Sequence, residues 1–136
     1  MKDKVFIDSN IILYINQKVD DLKKQKALSL LGNDVLISPQ IVFECINVCF
    51  KKYKFSLQDS IVFAEMLLEN TLIVSETLES TKLAIKIFEK YKLQTFDSKI
   101  IATALFHNCT ILYSEDMQHG LVIEDKLTIV NPFLNK

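Results

Sequence analysis

The sequence contains no arginine and no tryptophan; all 16 of its basic residues are lysines. It therefore lacks the planar, bidentate guanidinium fork that best matches a phosphate, so any grip on an anionic polymer would rest on lysines and bound cations. A surplus of positive charge is missing too. Against the lysines stand 17 acidic residues, for a net charge of -1, which excludes a general electrostatic attraction to nucleic acid. Glycine and proline number two each, too few for a linker or a low-complexity tract, and no internal repeat is visible. The longest apolar stretches, such as 11–15, are too short to cross a bilayer, and Met1-Lys2-Asp3 lacks the apolar segment of a signal peptide. A cytoplasmic protein without membrane contact is the expectation. The three cysteines, Cys45, Cys49 and Cys109, form an odd set with no C-x-x-C pair, which argues against a disulfide framework. Reduced, buried thiols are expected. Cys45 and Cys49 share a helix face, but two thiols do not close a zinc site, and His107 and His119 have no regular ligand spacing.

What is present is apolar material in short blocks. At 136 residues with 49% hydrophobic content, the chain suits one domain spanning 1–136 with a full core. Val5-Phe6-Ile7 is an unbroken apolar run, as in a parallel strand buried on both faces, and it leads straight into Asp8-Ser9-Asn10. Ile111-Leu112-Tyr113 leads in the same way into Ser114-Glu115-Asp116. Ligands of open α/β sheets bind at the carboxyl ends of strands, so two buried strands ending in acid predict one acidic pocket.

Between these runs the pattern alternates. Helices are expected over 11–17, 20–31 (closed by Gly32), 39–53, 57–70, 76–91 and 95–107, with strands over 35–37, 71–75 and 127–130. Ser38-Pro39 supplies an N-cap and a proline at the first helical position, and Ser56 with Asp59 resembles a capping box. Helices separate nearly all the strands, which predicts a mostly parallel sheet flanked by helices on both faces. Lys82, Lys86 and Lys90 form a stripe that reads as a solvated face. The helices over 22–31 and 57–68 carry more apolar residues than one buried stripe needs, so an apolar surface for self-association or for a partner helix is expected.

Four acids deserve separate reading. Asp97 shares a face with Ile100, Ile101 and Ala104, where an acid needs a partner; taken alone it would be a cap in its helix's first turn. Glu44 falls on the polar stripe of its helix and taken alone would be solvated. For Asp8 and Asp116 the plain reading is an acid in a turn. Taken together, carboxylates about 5 Å apart repel by roughly 3 kcal/mol at an effective dielectric near 20, so a cluster takes up protons or recruits cations. Hard oxygen donors favour Mg²⁺ or Mn²⁺, which can activate water beside a phosphodiester.

F-I-D-S-N at 6–10, Glu44, T-F-D-S-K-I-I-A-T-A-L at 95–105 and Y-S-E-D-M-Q-H-G at 113–120 resemble the four acidic blocks of a PIN domain of the VapC toxin type. The resemblance implies a three-layer α/β sandwich with a mostly parallel central sheet. It also implies an endoribonuclease in which Asp8, Glu44, Asp97 and Asp116 hold Mg²⁺ or Mn²⁺. Ser9 and Ser114 would hydrogen-bond the acids or the metal's water, and Asn10 would fix the first loop. RNA is the implied substrate and a cognate antitoxin the implied partner; a homodimer is the expectation from the apolar helix surfaces. Because the arginines common near the cleft in this family are absent, Lys51, Lys52 and Lys99 become the candidates for phosphate contact. His119 could serve a leaving oxygen, although a hydrogen-bonded loop histidine is the simpler reading. A solitary RNA-processing nuclease and a catalytically silent interaction module are the alternatives; retention of all four acids speaks against the second. A receiver-type domain would need a phospho-accepting aspartate ending a central strand, whereas Glu44 and Asp97 fall on helices.

Overall fold

The computed structural model describes residues 3–17, 21–32 and 34–134. Six strands form one sheet: β1 (Val5–Ile7), β2 (Val35–Ile37), β3 (Leu72–Ile73), β4 (Ile111–Tyr113), β5 (Val122–Ile123) and β6 (Leu127–Val130). Their order is β3-β2-β1-β4-β6-β5. Every pairing is parallel except β5 on β6, and both edge strands, β3 and β5, are two residues long. The apolar runs read from the sequence are the central strands, with Phe6, Ile7, Leu36, Ile37 and Leu112 at most 1% exposed. Strands so thoroughly covered need helices on both sides.

The helices are α1 (Ser9–Ile12), α2 (Asp21–Leu30), α3 (Pro39–Asn47), α4 (Leu57–Asn70), α5 (Leu78–Tyr91) and α6 (Thr95–Phe106). The strongest helix contacts divide them in two groups, α1 to α4 among themselves and α5 with α6. The chain runs outward from β1 to β2 and β3, then returns past β1 to β4. Strand order thus reverses between β1 and β4, and that is where open α/β sheets leave a crevice for ligands.

Local chemistry explains most boundaries and several departures from expectation. The helix expected over 11–17 begins earlier: Asp8 caps α1 by accepting from the Ser9 N–H, and a 3-10 turn over Leu13–Asn16 follows. The start expected at Asp20 lies outside the described residues. The helix expected to reach 53 is α only to Asn47 and then widens into a π-helical turn, Val48–Lys52. Ser38 precedes α3 without a side-chain capping bond. Ser56 accepts from the Asp59 N–H at 3.0 Å, and the full reciprocal capping box belongs to Thr77 and Ser80 at the start of α5. Strand β5 is too short to carry a pattern and escapes sequence reading. All three cysteines are buried free thiols, as expected, and burial raises the pKa of each. No helix among the described residues is long and apolar enough to cross a membrane.

Candidate functional site

The carboxyl ends of β1 and β4 build the first half of an acidic pocket. The Asp8 N–H donates to the Tyr113 carbonyl at 2.9 Å and the Ser114 N–H to the Val130 carbonyl at 3.0 Å, so sheet-type pairing continues to the point where the acids emerge. Asp8 is buried, at 5% exposure. Its carboxylate accepts from the Ser9 N–H at 2.8 Å, the Ser114 hydroxyl at 2.9 Å and the Asn10 amide at 3.1 Å. The same Asn10 nitrogen donates to Asp116 at 3.2 Å and lies 3.4 Å from the Ser114 oxygen, while the Asn10 carbonyl accepts from the Glu115 N–H at 3.1 Å. One carboxamide therefore bridges two acids that are more than a hundred residues apart in sequence. Asn10 and Ser114 both bond the Asp8 carboxylate through their side chains. Ser9 contributes through its backbone N–H.

The second half comes from the helices on either side. Glu44 on α3 accepts from the Gln40 amide at 3.2 Å through Oε2, and its Oε1 is buried without any hydrogen-bond partner. The solvated reading that helix periodicity alone gives Glu44 is therefore wrong: the polar stripe of α3 faces a cleft, and only tertiary packing determines that. Asp97, in the first turn of α6, is half-buried and accepts no hydrogen bond among the described residues. Gln94 stands at the cap position, so the capping role is not what Asp97 performs.

The electrostatics join the two halves. Burial lifts the Asp8 carboxyl to about 6, against the opposing pull of its hydrogen bonds, and the charges of Glu44 and Asp97 push it the same way. Asp97 is raised by its own burial, then by Asp116 and Glu44. Glu44 thus acts on both Asp8 and Asp97, Asp97 acts on Asp8, and Asp116 acts on Asp97. Yet among the described residues no three Asp, Glu, His or Cys side chains converge tightly enough to grip a metal ion as they stand. The donor set, all hard carboxylate oxygens with one orphaned lone pair at Glu44 Oε1, fits Mg²⁺ or Mn²⁺.

The surroundings separate the remaining candidates. Lys99 lines a cleft of about 360 Å³ together with Gln40, Phe43, Glu44, Asn47 and Phe96, and it pairs with Glu76 at 3.4 Å. Lys51 and Lys52 are exposed in the π-helical turn, and Lys52 lines a different groove with Asn16, Gln17 and Tyr53. His119 accepts the Asn131 N–H through Nδ1 at 2.9 Å, the hydrogen-bonded loop histidine of the simpler reading. Sequence reasoning passed over a clamp behind the pocket. Tyr14 and Lys23 both bond Glu115, and the Lys23 ammonium sits 4.8 Å from the Tyr14 ring centre. This clamp ties α2 to the loop that carries Asp116.

Comparison with known proteins agrees with this fold. A toxin-antitoxin complex from Klebsiella pneumoniae contains a chain of similar fold, with a TM-score of 0.72 at 22% identity over 95% of this chain and 98% of that one. Mycobacterium tuberculosis VapC20, described as a sarcin-ricin loop cleaving toxin, superposes with a TM-score of 0.67 at 12% identity over 82% of this chain and 89% of that one. No curated protein sequence matches the chain. The sequence itself matches the PIN domain over residues 5–120, a span that takes in β1, both acid-bearing helices and the β4 loop, so the chain belongs to the PIN domain family.

Proposed function

We propose that the protein is a metal-dependent endoribonuclease and the toxin of a toxin–antitoxin pair. The observation that supports this reading is electrostatic: Glu44 and Asp97, with lone pairs to spare, act by charge on Asp8, and Asp116, tethered to Asp8 through Asn10, acts on Asp97. Mg²⁺ or Mn²⁺ in such a site supplies a Lewis acid and water activated for attack on a phosphodiester. The chain's own part is to hold its acids in place. Asn10 and Ser114 fix Asp8 and Asp116 to the ends of the sheet, Glu44 and Asp97 bring negative charge from α3 and α6, and Lys99 stands at the edge for a phosphate. The RNA-cleaving neighbour and the toxin–antitoxin neighbour support RNA as the substrate class and an antitoxin as partner. Self-association into a homodimer has apolar surface available: Leu57, Ile61, Val62 and Leu68 on α4 are all exposed. Cytoplasmic RNA is the target such a toxin would meet.

The test is cleavage of total RNA by the pure protein with Mn²⁺ and with chelator. Cutting that requires the ion supports the reading. Failure to cut any RNA at any divalent-ion concentration overturns it. Light scattering of the same preparation tests the homodimer.

A further inference from the structure

Two aromatic rings stand bare beside the acids. Phe43 on α3 is 69% exposed and Phe96 on α6 is 64% exposed, and each directly precedes one of the two helix-borne carboxylates, Glu44 and Asp97. Successive residues on a helix are turned by a little over a quarter of a revolution, so each ring flanks its acid and does not cover it. Both rings line the same cleft, in the company of Glu44, Lys99 and the amides of Gln40 and Asn47. The Lys99 ammonium lies 5.4 Å from the centre of the Phe96 ring, which places a cation and an aromatic face at one edge.

We infer that this cleft takes unpaired bases of single-stranded RNA next to the phosphate to be cut, stacked on Phe43 and Phe96 with Lys99 on a flanking phosphate; the inference rests on the nuclease reading above. The cleft's chemistry favours a nucleobase over an apolar protein segment. A base offers π faces to the two rings and polar edges to the Gln40 and Asn47 amides that line the cleft, whereas an apolar side chain would cover those amides and give them nothing to bond. A duplex does not qualify, because its base faces are already stacked on one another. Stacking tolerates every base, so the cleft selects for unpaired RNA more than for sequence. With one lysine and no arginine there, binding should also depend only weakly on salt.

The probe is a short single-stranded 2′-O-methyl RNA carrying 2-aminopurine, whose fluorescence falls when the base stacks. It is titrated in Ca²⁺ beside the duplex of the same sequence. Wild-type protein should quench the single strand and bind the duplex at least about tenfold more weakly. Phe43→Ala and Phe96→Ala should each weaken single-strand binding by about tenfold, and Phe96→Trp should restore it. Both side chains are exposed, so the variants should melt with the wild type. Unchanged affinity in both alanine variants, or equal affinity for duplex and single strand, overturns the proposal. So does a result in which the variants keep RNA binding but lose self-association, which would assign the rings to a protein interface. If Mn²⁺-dependent cleavage persists while the rings prove irrelevant, only the stacking role falls. If the wild type neither binds nor cuts RNA, the nuclease reading falls with it.

Discussion

The two halves of the acidic crevice are built in opposite ways. Asp8 and Asp116 emerge from paired strands and share the amide of Asn10, with Ser114 and the Ser9 N–H closing round Asp8. Glu44 and Asp97 come from helices in separate layers; one has a single amide partner and a buried oxygen without any, and the other accepts no bond among the described residues. Hydrogen bonds to a charged group contribute about 1.5–3 kcal/mol each, so the sheet half is held by the fold itself. The helix half is left with bonding capacity that only something from outside can use. Preorganisation in such a pocket need not be uniform: strand ends fix the frame, and helix turns hold out the free valences.

The sharpest way to break this contrast is Asp97→Asn. Asparagine keeps the shape and the acceptor oxygen but removes one anionic donor and one source of repulsion. Ion-dependent RNA cleavage should drop by more than about a hundredfold, beyond the loss typical of a supporting ligand partner, while the melting temperature in chelator stays level or rises. Full activity in this variant would remove Asp97 from the site.

The next effect is on stability against pH without metal. A carboxyl held at about 6 in the folded protein against 3.8 in its ordinary state makes the native state the stronger proton binder between those values. Stability therefore falls as pH rises through that window, and the penalty is complete above it. Asp97, also raised, acts in the same direction. In chelator the protein should resist urea better at pH 5 than at pH 7.5, with Asp8 contributing at most about 3 kcal/mol. A flat profile would mean that Asp8 is better solvated than its burial indicates.

Asn10→Ala should be milder. It deletes the bridge between the tethered acids and leaves them facing each other, at a cost of about 2 kcal/mol in denaturant unfolding. Asn10→Asp should be worse than alanine, since it would add a third negative charge at that point. If both variants unfold like the wild type, the sheet half is no firmer than the helix half.

Much of this was legible before any coordinates. The apolar runs that lead into Asp8 and into Ser114-Glu115-Asp116 are β1 and β4, two neighbouring central strands, so the sheet could be read from them; the runs that enter Glu44 and Glu69 are helical and show that length alone does not tell the two apart. Asn10 and Ser114 bond Asp8 and Lys99 lines the cleft beside Glu44, placements that depend on which loops and helices the fold brings together. Glu44 could not be placed by periodicity, because a polar stripe looks the same whether it faces bulk water or a cleft; which of the two applies depends on α6, in another layer. Phe43 and Phe96 were missed because a phenylalanine in a helix ordinarily signals core. The phenylalanine–acid dipeptide at 43–44 and 96–97 was a clue, but it recurs at Phe88-Glu89 on α5, which lines a different groove, so it could not single out the two rings. The π-helical turn left no trace in the pattern, for one added residue in a turn alters no side-chain chemistry.

The two margins of the sheet bear on how this molecule meets other chains. An exposed strand margin is a template onto which a foreign strand can zip, and here each margin, β3 and β5, ends after two residues. So short a template gives an incoming strand almost no ladder to extend, which protects a hydrophobic parallel sheet from stacking side by side with its own kind. Any partner that docks on this molecule would therefore have to read side chains on its helices, where recognition depends on shape and chemistry and not on the backbone that all proteins have in common.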